Sequence, residues 1–204
     1  MQASDLSGAL IPAARYLGRD TSGLVRVEVD GAARHVVVTL EDGWRRADAG
    51  HGLSDAILTA FTAATTARLV AWAEQAADHR RPDDAPTSQH AKKPDAPSET
   101  FALLSRAWSD LHEYRHRLTQ LHAATTTTAA PGRTVVVTVR AGQIAGIELE
   151  PGWLRTAGDT EIERLTGRTL SAALGELARI PERVLASCPD LRAVLAMQQP
   201  ETDR

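Results

Sequence analysis

Residues 24–41 read LVRVEVDGAARHVVVTLE and residues 134–150 read TVVVTVRAGQIAGIELE, and these two stretches decide the fold. In the first, 24–29 alternates apolar with polar side chains, Asp30-Gly31 supplies a turn, and 36–41 forms a second strand. The second repeats the design with 134–139, a turn at Ala141-Gly142, and 144–150. A side-chain period of two puts Val25, Val27 and Val29 on one face, and Val135, Val137 and Val139 on one face of the other copy. Each stretch is therefore read as an antiparallel hairpin with one buried side.

The match continues outward. Leu40-Glu41-Asp42-Gly43-Trp44 stands against Leu149-Glu150-Pro151-Gly152-Trp153. A polar stretch follows each, 45–52 and 154–160, and then an amphipathic segment. Residues 53–74 place Leu53, Ile57, Ala60, Phe61 and Ala64 on one helical face, and 159–180 do the same with Ile162, Leu165, Leu170, Ala173 and Leu177. The offset between copies is assigned to one residue in the hairpin turn. Extra strands are expected at 15–19 and at 124–129, where the threonine run favours extended structure. A repeat of this size is a duplicated unit.

The copies differ in their flanks. Residues 99–122 predict a long helix with Phe101, Leu104, Trp108, Leu111, Leu118 and Leu121 at heptad-like spacing, capped by Ser98. Before the first copy stand only 1–14, interrupted by Pro12. After the second, Pro181 is placed at the first turn of a terminal helix over 182–196. Residues 78–98, with Pro82, Pro86, Pro94 and Pro97 among charges of both signs, read as a flexible spacer. The expected division is 1–77, 78–98 and 99–204.

The chain holds 204 residues, 43% hydrophobic and 24% charged, with a formal net charge of -3, so a globular core is expected. No stretch is read as approaching the ~20 uncharged apolar residues of a membrane helix, so no insertion is expected. Residues 1–17 do not read as a signal peptide, and a cytoplasmic protein is the default. Cys188 is the only cysteine, which excludes an internal disulfide or a thiolate zinc cage. Lys92 and Lys93 are the only lysines among 23 basic residues, a pattern of GC-rich coding. The acidic balance removes the simplest sign of nucleic-acid binding, a strongly basic surface.

The hairpin texts, together with the helix text LTAFTAATTARL at 58–69, resemble the YbaB/EbfC family of bacterial nucleoid-associated proteins. The resemblance covers about 16–74 and 99–180. It rests on patterns of residue type, with no invariant catalytic group. It implies an α+β fold of two YbaB-like units, each a three-stranded antiparallel sheet with helices, forming an intrachain pseudo-dimer through their sheets. It also implies sequence-tolerant DNA binding by a nucleoid-associated protein. The chain is similar, too, to YbaB-like proteins found among the accessory factors of type VII (ESX) secretion, a resemblance that implies action through a protein partner. The acidic charge, the reduced leading helix and the lack of lysine-rich ends depart from the DNA-binding pattern.

One motif points to catalysis. His112-Glu113-Tyr114-Arg115-His116 matches H-E-x-x-H on a predicted helix, where two histidines on one face hold zinc and Glu113 serves as base. His122 stands where a third ligand belongs. Thr119 replaces the glycine that breaks such a helix, and without a break six residues turn His122 about 120° from His116. A solvated polar face is the expected reading, and a zinc peptidase the remote one. Cys188 has no histidine nearby in sequence, and residues 125–128 lack the base a nucleophilic threonine needs. Trp44 and Trp153 are read as core plugs. Arg45, Arg46 and Arg155, on equivalent loops, are the candidate phosphate contacts. No catalytic residue, no metal and no cofactor is expected. The expected partner is DNA or a protein, with self-association through paired sheets as a further option.

Overall fold

The computed structural model describes residues 14–47, 52–78 and 98–198. The leading segment 1–13 and most of the expected spacer, 79–97, lie outside the described residues. The first copy contains β1 (Arg15–Arg19), β2 (Val25–Asp30), β3 (Val36–Leu40), a short helix α1 (Trp44–Ala47) and a long helix α2 (Leu53–Asp78). Helix α3 (Ser98–Ala123) precedes the second copy: β4 (Thr125–Ala129), β5 (Val135–Arg140), β6 (Gln143–Leu149), α4 (Pro151–Thr156) and α5 (Asp159–Ala186). Helix α6 (Pro189–Gln198) follows. The fold is α+β, with two separate three-stranded antiparallel sheets of order β1-β2-β3 and β4-β5-β6.

Alternation does what the sequence demands. Val25, Val27, Val29, Val135, Val137 and Val139 are all buried, and the residues between them are half-buried, except Val136, which is buried as well. The offset between the hairpins is not one residue in a turn. The first hairpin closes over residues 31–35, and the Asp30 carboxylate accepts N–H bonds from Arg34 at 2.7 Å and His35 at 3.1 Å. The second closes over two residues, Ala141 and Gly142, with φ of 52° and 73°. Positive φ at both positions is the twist-matched hairpin turn. Strand β6 recovers length through a bulge, its partners stepping from Gly146 to Ile144 between Thr138 and Val139.

Helix α2 lies over β1 and β2, with Leu53, Ile57, Ala60, Phe61 and Ala64 buried. A side chain at Gly18 would put its Cβ 2.0 Å from the Ala60 carbonyl oxygen and 2.4 Å from the Ala64 nitrogen. Only glycine permits that approach. This helix corrects one expectation: over Leu53–Gln75 it is long and apolar enough to cross a membrane by length and composition. Its alanines and threonines carry no charge, so three ionisable groups leave the apolar average high.

The copies cover each other reciprocally. Helix α2 of the first copy meets β6 of the second, and α5 of the second lies along β3 of the first. An edge strand presents unpaired N–H groups, and here two of them are met by side chains. The Val36 N–H donates to Ser171 Oγ at 2.9 Å and the Leu40 N–H to Glu163 Oε1 at 2.7 Å. Between them a Cβ at Gly167 would stand 2.8 Å from the Val36 carbonyl oxygen. Ile162, Thr166, Thr169, Leu170 and Ala173 of α5 are buried, whereas neither Leu165 nor Leu177 is a core position: both are half-buried, and Leu165 lines the groove beside β4.

The compact units therefore do not follow the spacer. Of the described residues, those up to Asp78 join Thr125–Glu176 in one unit, and those of 98–124 join the residues from Leu177 onward in another. In the second unit α3 packs on α6. Asp110 Oδ2 of α3 accepts the Asp190 and Leu191 N–H groups at 2.9 and 3.2 Å, capping α6 from outside. Arg117 Nη1 donates to Ser187 Oγ at 2.7 Å, and Ala107, Val184 and Cys188 are buried. The expected break at Pro181 is displaced: α5 runs through Pro181, and the helix start is Pro189. An internal proline removes one helical hydrogen bond, while Pro189 stands at a first turn whose freed N–H groups Asp110 accepts.

Gly18→Val is expected to cost about 3 kcal/mol in urea unfolding, since helix and strand backbones must separate. Acid denaturation gives a second check. Burial tends to raise the Asp20 carboxyl, but the Ser22 hydroxyl and the N–H groups of Val25, Ser22 and Gly23 outweigh it and hold it low. Burial likewise opposes, and the N–H groups and ring of the 34–35 turn overcome, the same effect at Asp30. Both folded values lie below the unfolded ones, so the unfolded chain binds more protons as pH falls below about 4. Stability is expected to be present above that pH and lost beneath it. Asp20→Asn is expected to flatten this acid limb in urea titrations between pH 5 and pH 2.

Candidate functional site

The polar stretches after the hairpins are short helices, not open loops. In α4 Pro151 opens the helix and the Glu150 side chain accepts the N–H groups of Gly152, at 2.7 Å, and Trp153. Those two backbone donors pull the Glu150 carboxyl below its ordinary value, and the nearby Arg155 charge adds to the effect. The Ala157 N–H closes the helix on the Trp153 carbonyl at 2.8 Å.

Arg45 joins the two equivalent turns. Its Nε and Nη2 donate to Asp159 Oδ1 at 3.1 and 2.9 Å, Nη1 to the Leu154 carbonyl at 2.8 Å, and Nη2 to the Ala157 carbonyl at 2.6 Å. The guanidinium also stacks 4.5 Å above the Trp44 ring centroid. A planar fork fits here because it neutralises the carbonyl end of α4 and the first acidic residue of α5 at once. Of the three arginines singled out by sequence, Arg45 thus spends its donors inside the protein. Arg46 and Arg155 are exposed.

The matched tryptophans have separate fates. Trp44 is 5% exposed, and its Nε1 has no hydrogen-bond partner among the described residues. It lines a small hollow of about 290 Å³ beside Asp20, Leu53 and Ala56. Trp153 is half-buried and lines a groove of about 600 Å³ between β4 and α5. Sequence reasoning missed this groove and its two arginines, Arg164 and Arg168. The available signal was an Arg-x-x-x-Arg pair, one helical turn apart, in the copy that also carries the threonine run.

Helix α3 runs unbroken through the H-E-x-x-H motif. His112 Nδ1 lies 2.9 Å from the Trp108 carbonyl, His116 Nε2 lies 2.9 Å from Gln120 Nε2, and Glu113 pairs with Arg117. His122 is not brought round to His112 and His116. Among the described residues no group of three or more His, Cys, Asp or Glu is placed to hold a metal ion. Cys188 is a buried free thiol, and 125–128 are strand.

The predicted heptad seam of α3 is split: Leu111 and Leu118 lie on its packed side, and the rest of the seam does not. Phe101 is 72% exposed and Trp108 65%, with Leu104 and Leu121 also open. The half-buried and buried side is Leu103, Ala107, Asp110, Leu111, Tyr114 and Leu118. At about 100° per residue the apolar arc of this helix spans nearly half its circumference, more than α6 alone covers. Comparison of the chain with protein-family models, curated proteins and solved structures finds no match.

Arg45→Lys is expected to cost about 1–2 kcal/mol in urea unfolding, because an ammonium cannot reach both carbonyls and the carboxylate together. Arg46→Lys, exposed on the same helix, is expected to change stability by less than about 0.5 kcal/mol.

Proposed function

We propose that this chain is a non-enzymatic, protein-binding accessory module of the cytoplasm, built as an intrachain pseudo-dimer of YbaB/EbfC-like units. The observation that carries the reading is the open apolar flank of α3, where Phe101, Leu104 and Trp108 recur at i, i+3 and i+7. Three large apolar side chains in one stripe fit the groove-docking face of an amphipathic helix. The reciprocal covering of β3 by α5 and of β6 by α2 supports the pseudo-dimer, as does Arg45 bridging the equivalent turns. The burial of Ile57, Ala60, Phe61 and Ala64 supports α2 as the core helix of a water-soluble domain.

Sequence-tolerant DNA binding is the second reading, favoured by the exposed Arg46 and Arg155. The acidic balance and the internal commitment of Arg45 weigh against it. The resemblance to type VII secretion accessory factors agrees with a protein partner.

The test compares the wild-type chain with a Phe101→Ser, Leu104→Ser, Trp108→Ser variant. Those side chains are exposed, so the urea midpoint is expected to stay within about 1 kcal/mol. Wild-type protein is expected to retain a discrete partner from the native host's lysate, and the variant to lose it. Retardation of random duplex at about 50 mM salt, falling steeply toward about 200 mM, establishes DNA binding instead.

A further inference from the structure

The groove between β4 and α5 combines three features that the α3 flank does not share. The first is a strand edge. Among the described residues strand β4 pairs only with β5, and the Ala130 N–H points inward to the Val135 carbonyl at 2.9 Å. Alternation along the ladder then turns the N–H and C=O groups of Thr127 and Ala129 away from β5. Both residues are exposed. On the edge of the other sheet, at β3, side chains of α5 accept the outward N–H groups of Val36 and Leu40, whereas at β4 the Glu176 side chain of α5 accepts only from the Thr128 hydroxyl, at 3.1 Å, and a groove of about 600 Å³ remains.

The second feature is charge. Arg164 and Arg168 line the groove, and neither makes a hydrogen bond or ion pair among the described residues. Two like charges at i and i+4 repel, and among the described residues no ion pair is made by either arginine. Glu161 is the one carboxylate lining the groove beside them. The third is spacing. One helical turn separates the arginines by about 6 Å along the axis, and alternate residues of a strand stand about 6.7 Å apart. Leu165, between the arginines, and Trp153 supply apolar lining.

We propose that the β4 edge receives an extended segment of a partner protein as a fourth strand, with carboxylates at i and i+2 reaching Arg164 and Arg168. Main-chain hydrogen bonds to Thr127 and Ala129 give affinity, and the two arginines select acidic side chains. This site is separate from the α3 flank and stands whether or not that flank binds a partner.

Fluorescence anisotropy on the full chain tests it. The probe is a fluorescein-labelled peptide amide, Thr-Val-Glu-Val-Glu-Val-Thr, compared with its counterpart carrying Lys in place of Glu. The Glu peptide is expected to bind roughly tenfold more tightly than the Lys peptide, or better. N-methylation at the valines or at the glutamates is expected to differ sharply in effect, because only one set of N–H groups faces β4. Thr127→Pro removes an outward N–H without touching the β4–β5 ladder and is expected to abolish binding. Arg164→Glu with Arg168→Glu is expected to invert the preference, an outcome that cannot come from misfolding. Phe101→Ser, Leu104→Ser, Trp108→Ser is expected to leave the peptide affinity unchanged. Equal binding of both peptides, or no binding of either, overturns the proposal. Binding that ignores both N-methylation patterns overturns the added strand.

Discussion

The structure depends on how the open edge of β3 is closed. A three-stranded sheet has two edges, and an uncovered edge invites pairing with any other chain. Here the cover is a helix from the other copy, and its chemistry is specific. Ser171 and Glu163 accept two of the outward N–H groups, those of Val36 and Leu40, and Gly167 lets the helix backbone reach the strand. Helix–strand contact at that distance excludes water, so the accepting oxygens are needed in place of it. Because this cover comes from α5, the first sheet is not a domain by itself. The compact unit must take in both sheets.

Arg45 belongs to the same logic. The two post-hairpin turns face each other, and α4 ends with carbonyls that need donors. A single guanidinium satisfies Leu154 and Ala157 and binds Asp159. Sequence reasoning marked the arginines of these turns as phosphate contacts, since an arginine after a hairpin gives no sign of where its fork is spent. Only the folded juxtaposition of residues more than 100 positions apart assigns it.

Most of the secondary structure was legible. Alternating valines fixed both hairpins, because a one-residue slip would expose the whole set. The α2 face was legible for the same reason, at a period of 3.6. Two readings failed where local rules have several solutions. Pro181 and Pro189 both satisfy a helix-start rule, and the choice between them rests on Asp110, 80 residues away. On α3 the apolar arc is broad enough to suggest a seam at Phe101, Leu104 and Trp108, while the neighbour packs on the adjacent arc centred near Ala107. Periodicity locates an apolar arc and says nothing about which part of it a neighbour covers. The β4 groove was hidden because it arises from how far α5 stands from β4, a tertiary quantity.

The cover on β3 has a further consequence for how the chain comes into being. Val36 and Ser171 are separated by 135 positions, and Leu40 and Glu163 by 123. A ribosome adding about 5–20 residues per second finishes the strand roughly ten seconds before it delivers the helix that closes it. Throughout that interval the nascent first sheet carries a bare edge. Its protection then falls to whatever meets the emerging polypeptide, and crowding among neighbouring ribosomes on one message becomes the hazard to be managed.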